Sequence, residues 1–222
     1  MGSIEAFAKK WAPNSDKESV WKKLRNTVSP PPPARHRIAM ALFKIRVQKS
    51  KMEYTLHRLQ SRGAQLFEKV VDAQVKKDIA KATMYATEVA EVRKVAKALM
   101  SAIIALERIS LRLETIQDVG DLITALGPVV GVIREVRSTL MGIMPEVAFE
   151  LMEVDELLQS TVMELGEFAG IHIQQPTASE EARKVLEEAT AIAEQRMKEQ
   201  FPEIPVGSGS KLPEPPTVES GD

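Results

Sequence analysis

The sequence predicts an all-α fold: a long antiparallel two-helix hairpin, then shorter C-terminal helices and a disordered proline-rich tail. Three observations carry this. Ala, Leu, Ile, Val, Glu and Lys dominate the composition, two apolar series keep heptad spacing, and proline and glycine gather at a few breaks. Aromatic residues are only 5% of the 222 and glycine is scarce at 11, a composition that favours long helices.

The first element is "SIEAFAKKW", where Ile4, Phe7, Ala8 and Trp11 share one helical face and Lys9 and Lys10 lie on its flank. Pro13 ends it, and Trp21 follows with Lys22, Lys23 and Arg25. Residues 1–29 thus read as a basic amphipathic segment. Pro30 to Pro33 form an extended spacer, which also takes in His36.

A helical domain is expected over residues 30–201, with a long helical pattern after the proline spacer. Ile38, Leu42, Ile45, Lys49, Met52, Leu56, Leu59, Gly63, Leu66 and Val70 alternate spacings of four and three. Only Lys49 and Gly63 break the apolar series. After Asp78, a helix cap, a second seam follows through Ala82, Tyr85, Val89, Val92, Ala96, Leu99, Ile103, Leu106, Ser110 and Leu113. Two seams with a short polar connection make a hairpin, with arms of about 60 Å at ~1.5 Å per residue. "ALMSAIIALERISL" is apolar on more than one side and must meet something besides the first arm. Later helices of the same chain and further copies are both suitable.

Beyond Asp118, Gly120, Gly127, Pro128, Gly131, Gly142 and Pro145 predict two or three short helices with hinges. "EVAFELMEVDELLQSTVMELGEF" reads as an acidic amphipathic helix. Thr177 and Glu180 form a capping box that starts a last helix to Gln200. Residues 202–222 read as a tail, with a "GSGS" linker before Leu212-Pro213-Glu214-Pro215-Pro216. That run favours polyproline II and cannot join a core.

Charge is divided along the chain. Residues 1–112 hold 23 Lys and Arg against 10 Asp and Glu, a net of +13, and residues 113–222 hold 7 against 21, a net of −14. The split predicts a closed state in which acidic helices fold back on the basic hairpin. The helix from Thr177 to Gln200, with Val185, Leu186, Ala189 and Ala193 near one face, is the expected autoinhibitory clasp.

No catalytic constellation is legible, and the protein is expected not to be an enzyme. With no cysteine, disulfides and thiolate metal sites are excluded. His36, His57 and His172 have no ligand-spaced neighbours, and the carboxylates of "EVDE", Glu153 to Glu156, read as a solvated acidic face. No phosphate-binding glycine loop is present, and no cofactor is expected. The N-terminus shows no secretory signal, and "ITALGPVVGVI" is too short to span a bilayer.

The stretch from Leu59 to Leu122, followed by "LGPVVGVIREVRSTLMGIMPEV", resembles the hairpin of the ESCRT-III family. It is most similar to the archaeal cell-division members, the CdvB paralogues, over roughly Pro30 to Phe201. The resemblance implies a cytoplasmic, peripheral membrane subunit that polymerises with itself or with paralogues at the division site. It also implies a proline-rich motif that docks on the MIT domain of a AAA ATPase, and Leu212, Pro213 and Pro216 match that motif. The founding archaeal member continues into a winged-helix module for recruitment. The sequence stops short of one, so it resembles the shorter paralogues.

Contact with an anionic membrane is expected through Ile4, Phe7 and Trp11, with Lys9, Lys10, Lys22, Lys23 and Arg25 above them. Arg35, Arg37, Lys44 and Arg46 extend the basic surface along the first arm. Two rival functions fit parts of the pattern: a basic helical nucleic-acid binder and a coiled-coil adaptor with no membrane role. Few aromatics are available for base stacking in the basic half, so no nucleic-acid partner is expected.

Overall fold

The computed structural model describes residues 34–115, 119–169 and 180–201, and all the regular structure among them is helical. Helix α1 (Ala34–Val75) and helix α2 (Ile79–Glu114) form the hairpin. Helices α3 (Val119–Leu140), α4 (Pro145–Ala169) and α5 (Glu180–Gln200) pack along it. This is the predicted all-α architecture, an ESCRT-III-like hairpin with shorter helices behind it.

The hairpin turn closes on local chemistry. The Asp78 N–H donates to the Ala73 carbonyl at 2.9 Å and the Lys77 N–H to that of Gln74 at 2.9 Å, a Schellman closure. Lys77 takes φ 59°, the left-handed conformation usually given to glycine. Asp78 then caps α2, its Oδ1 accepting from the Lys81 N–H at 3.1 Å. The Lys81 ammonium also holds the Asp78 carboxyl below its ordinary pKa.

Both seams are where the spacing puts them, but the buried face of α1 is wider. Arg37, Ala41 and Gln48 are buried beside Ile38, Ile45 and Met52, because α1 meets α4 as well as α2. In α2 the run Leu99, Met100, Ala102 to Leu106, Ile109, Ser110 and Leu113 is buried. Helices α3 and α5 cover the sides that α1 does not reach. Later helices of the chain itself therefore cover that second apolar side.

Three expectations are corrected. His36 is an exposed residue of α1, not of a linker: the helix begins at Ala34, directly after the proline run. The segment after Asp118 is one helix to Leu140 rather than several short ones, and Pro128 lies buried inside it. Proline removes one backbone bond. Close burial of Leu126, Val129, Val130, Val132 and Ile133 against neighbouring helices outweighs that loss. The hinge falls only at residues 141–144, around Gly142. Third, Asp155 is not on a solvated face. It is 4% exposed, with its Oδ2 3.4 Å from Arg134 Nε and 3.7 Å from Arg137 Nη1. The arginines come from α3, which no spacing within α4 could announce.

Candidate functional site

The candidate site is the seat of α5 on the hairpin. Its buried residues are Ala182, Ala189 and Ala193, while Val185, Leu186, Ile192 and Met197 are half-buried against the core. These alanines, spaced seven and four, let α5 lie close to α2, where larger side chains would hold it off. Beneath it, a cleft of about 270 Å³ remains open between Lys97, Ser101 and Ala102 of α2, Val136 and Thr139 of α3, and Leu186 and Thr190 of α5. The packing there is incomplete.

Ion pairs line the same seam. Lys97 Nζ is 2.6 Å from Glu194, Arg112 Nη2 is 2.9 Å from Glu181, and Arg108 pairs with Glu188. The Lys97 ammonium, donating a hydrogen bond, holds the Glu194 carboxyl below its ordinary pKa. Ser101 and Thr190 hydroxyls meet at 3.1 Å. All three ion pairs are solvent-accessible, so each contributes only about 0–1 kcal/mol.

At its C-terminal end α5 is held differently. Phe201, whose N–H donates to the Met197 backbone carbonyl at 2.9 Å, is buried among Leu66, Val70, Val89, Val92 and Ala96. Its ring sits over Gly63. A Cβ built there would lie 3.1 Å from Phe201 Cε1 and 3.6 Å from Val92 Cγ1. The glycine that interrupts the α1 seam is thus the socket for a ring 138 positions away. Gln60 donates to the Gln200 amide oxygen at 2.6 Å beside it. Sequence reading missed this pair, although a glycine at a heptad seam position is a signal for close approach.

A second acidic helix also engages the basic half. Arg37, although buried, pairs with Glu164 of α4 at 2.5 Å, and Lys44 pairs with Glu153, which raises the lysine's pKa by the hydrogen bond between them. Arg46 pairs with Glu114 at 2.6 Å, and Arg35 is exposed. Of the basic residues expected to face lipid along the first arm, Arg37 and Lys44 are therefore committed to α4 in this conformation. Their partners lie on a helix more than 100 residues away, which no spacing within α1 announces.

The structure thus brings Val185, Leu186, Ala189 and Ala193 to one seam with α2 and α3. Ile4, Phe7, Trp11, Lys9, Lys10, Lys22, Lys23 and Arg25 lie outside the described residues, as do His172, Thr177, Leu212, Pro213 and Pro216. His57 is exposed on α1. Among the described residues no group of His, Cys, Asp or Glu could hold a metal ion, and no helix is long and apolar enough to cross a membrane.

No family model matches the chain, and no solved structure matches it significantly. Curated relatives do. Over 173 residues it is 47% identical to Cell division protein B1 of Sulfolobus acidocaldarius, covering 78% of this chain and 81% of that protein. Over 163 residues it is 34% identical to Cell division protein B of the same organism, covering 73% of this chain and 62% of that longer protein. With these relatives and this hairpin, the chain belongs to the archaeal cell division protein B (CdvB) family, and its role is in cell division.

Proposed function

We propose that this cell-division protein is a non-enzymatic, polymer-forming subunit that remodels membrane, held closed by α5 and dismantled by a AAA ATPase. In this reading it works in the cytoplasm, on the membrane at the division site, alongside paralogues of its own family. The observation that carries the proposal is how α5 is attached. Alanine contacts, exposed ion pairs and one terminal phenylalanine hold it over an apolar strip of α2. Such a helix can leave without unfolding the rest, and its departure would expose both apolar surface and the basic residues Lys97, Arg108 and Arg112. Lipid contact falls to the N-terminal apolar residues and their lysines, since Arg37 and Lys44 are occupied in the closed form.

The tail supplies the handle. Leu212 lies 11 positions beyond Phe201, so a pull on the docking motif would reach the Phe201 seat before any other contact of α5. Burying one leucine contributes ~1.5–3 kcal/mol, and repetition along a polymer raises the avidity.

Ending the chain after Gly170 tests the closed state. The truncated protein should assemble and co-sediment with anionic vesicles more readily than the whole chain. Equal sedimentation of the two across a range of salt would overturn autoinhibition by α5. Leu212→Asp tests the tail: it should abolish ATPase capture in a pull-down while assembly and vesicle binding stay unchanged. Retained capture would remove the motif assignment.

A further inference from the structure

The outward faces of α1 and α4 carry apolar side chains that no described element covers. On α1, Met40, Phe43, Val47 and Tyr54 are exposed, Phe43 and Tyr54 by 68% and 67%. With Ser50 they follow spacings of three, four, three and four, one stripe of a helix. On α4, Phe149, Met152 and Met163 are exposed, Phe149 and Met163 by 56% and 57%. With Glu156 and Gln159 they repeat the same spacing. Each stripe stands opposite the core side of its helix, which Ile45 and Met52 mark on α1 and Leu151 and Leu158 mark on α4.

The two stripes form one face. Arg37 pairs with Glu164 and Lys44 with Glu153, so residue numbers rise along α1 as they fall along α4, and the helices are antiparallel. At 3.6 residues per turn, each stripe lies about 80° round its helix from the bridging residues, on the side away from the core. In antiparallel neighbours these rotations have opposite sense in space. Both stripes therefore turn to the same side, with the ion pairs between them.

That face has two signs. The α1 part, residues 35–58, holds seven Lys and Arg and one Glu, whereas α4 holds seven acidic residues and no basic one. Lys51 and Arg58 on α1, and Glu146 and Glu156 on α4, are exposed and are not ion-paired among the described residues. An anionic membrane would attract the α1 half and repel the α4 half. A second copy, turned over, satisfies both.

We propose that the α1/α4 face is where two copies of this chain pair, about a two-fold axis parallel to the helices, with α1 of each lying on α4 of the other. A two-fold across the helices would instead set basic α1 on basic α1. The proposal rests on the reading of the chain as a self-assembling subunit and names the surface it uses.

Sedimentation velocity of the full chain, without lipid and at low salt, tests it. Wild type should form a concentration-dependent dimer. Lys51→Glu with Arg58→Glu should weaken the dimer at least tenfold, and so should Glu146→Lys with Glu156→Lys, each at unchanged helix content. Mixing the two variants should restore a dimer, because acid then meets base at both contacts. A monomeric wild type, dimers indifferent to both variants, or a mixture that stays monomeric would each overturn the pairing. So would a dimer that appears only when residues 1–33 are removed, which would assign the face to that segment. Vesicle binding, measured in parallel, separates this pairing from the membrane reading: a monomer that still binds vesicles overturns the pairing alone.

Discussion

Helices α3 and α5 both pack on α2, yet they are held there by different physics. Helix α3 inserts Leu126, Val129, Val130, Val132, Ile133, Val136 and Leu140, all essentially inaccessible to water. Helix α5 inserts three alanines and leaves its larger apolar residues half-covered. A fully buried Leu, Ile or Val contributes about 1.5–3 kcal/mol, and a CH₂-sized group about 0.8. Ion pairs in water do little to close that gap. One helix is part of the body, and the other is a clasp with a single strong point, Phe201.

The contrast also assigns meaning to the charge split. Ion pairs of Arg37, Lys44, Lys97, Arg108 and Arg112 join basic α1 and α2 to acidic α4 and α5. Those of α4 accompany a helix already fixed by Leu151, Val154 and Leu158, whereas those of α5 accompany only alanine contacts and half-covered side chains. The same chemistry is therefore a minor share of what holds α4 and a larger share of what holds α5, small in absolute terms in both. A two-state element moves only if the difference between its states is a few kcal/mol, and the light apolar contact of α5 supports the proposed opening.

The sharpest way to break the comparison is at its strong side. Ile133→Ala, in α3, should cost about 2–5 kcal/mol of global stability, read by chemical denaturation. A loss as small as that of an exposed substitution would mean α3 is no more embedded than α5.

Phe201→Ala should act locally. Amide exchange in α5 should speed by roughly tenfold or more, equivalent to about 1.4 kcal/mol, with a much smaller shift in the global midpoint. Gly63→Ala tests the socket from the other side. Alanine favours the helix by roughly 0.5–1 kcal/mol, but its methyl group meets the Phe201 ring, so α5 should loosen while α1 does not. Parallel loss in both helices would show that α5 and the hairpin unfold as one unit.

The smallest effect belongs to the ion pairs. Replacing Lys97, Arg108 and Arg112 by alanine should speed α5 exchange less than Phe201→Ala does, since each pair contributes only ~0–1 kcal/mol. Added salt should mimic the replacement. Acid should too. The folded pKa of Glu194 is lowered, so its contribution is complete above the ordinary glutamate pKa and is lost as pH falls through the folded value. If exchange in α5 is indifferent to salt and to acid, apolar contacts alone hold the clasp.

Spacing alone made the hairpin legible, because a heptad series is a local property and each arm buries its own stripe. The Asp78 cap was legible for the same reason. So was the acidic character of α4 and α5, and with it the expectation of a fold-back. Composition misled at Pro128, where local propensity predicts a break but burial of the surrounding valines and Ile133 keeps the helix whole.

What the tertiary structure alone decided are the partners. No periodicity within one helix says that Gly63 receives a ring from residue 201, that Arg37 is buried against Glu164, or that Asp155 faces two arginines of α3. Heptads specify which side of a helix is apolar, since that depends on residues three and four apart. Which helix covers that side, and how firmly, depends on volumes and charges brought together from distant parts of the chain. The difference between α3 and α5, on which the proposed opening depends, exists only in that packing.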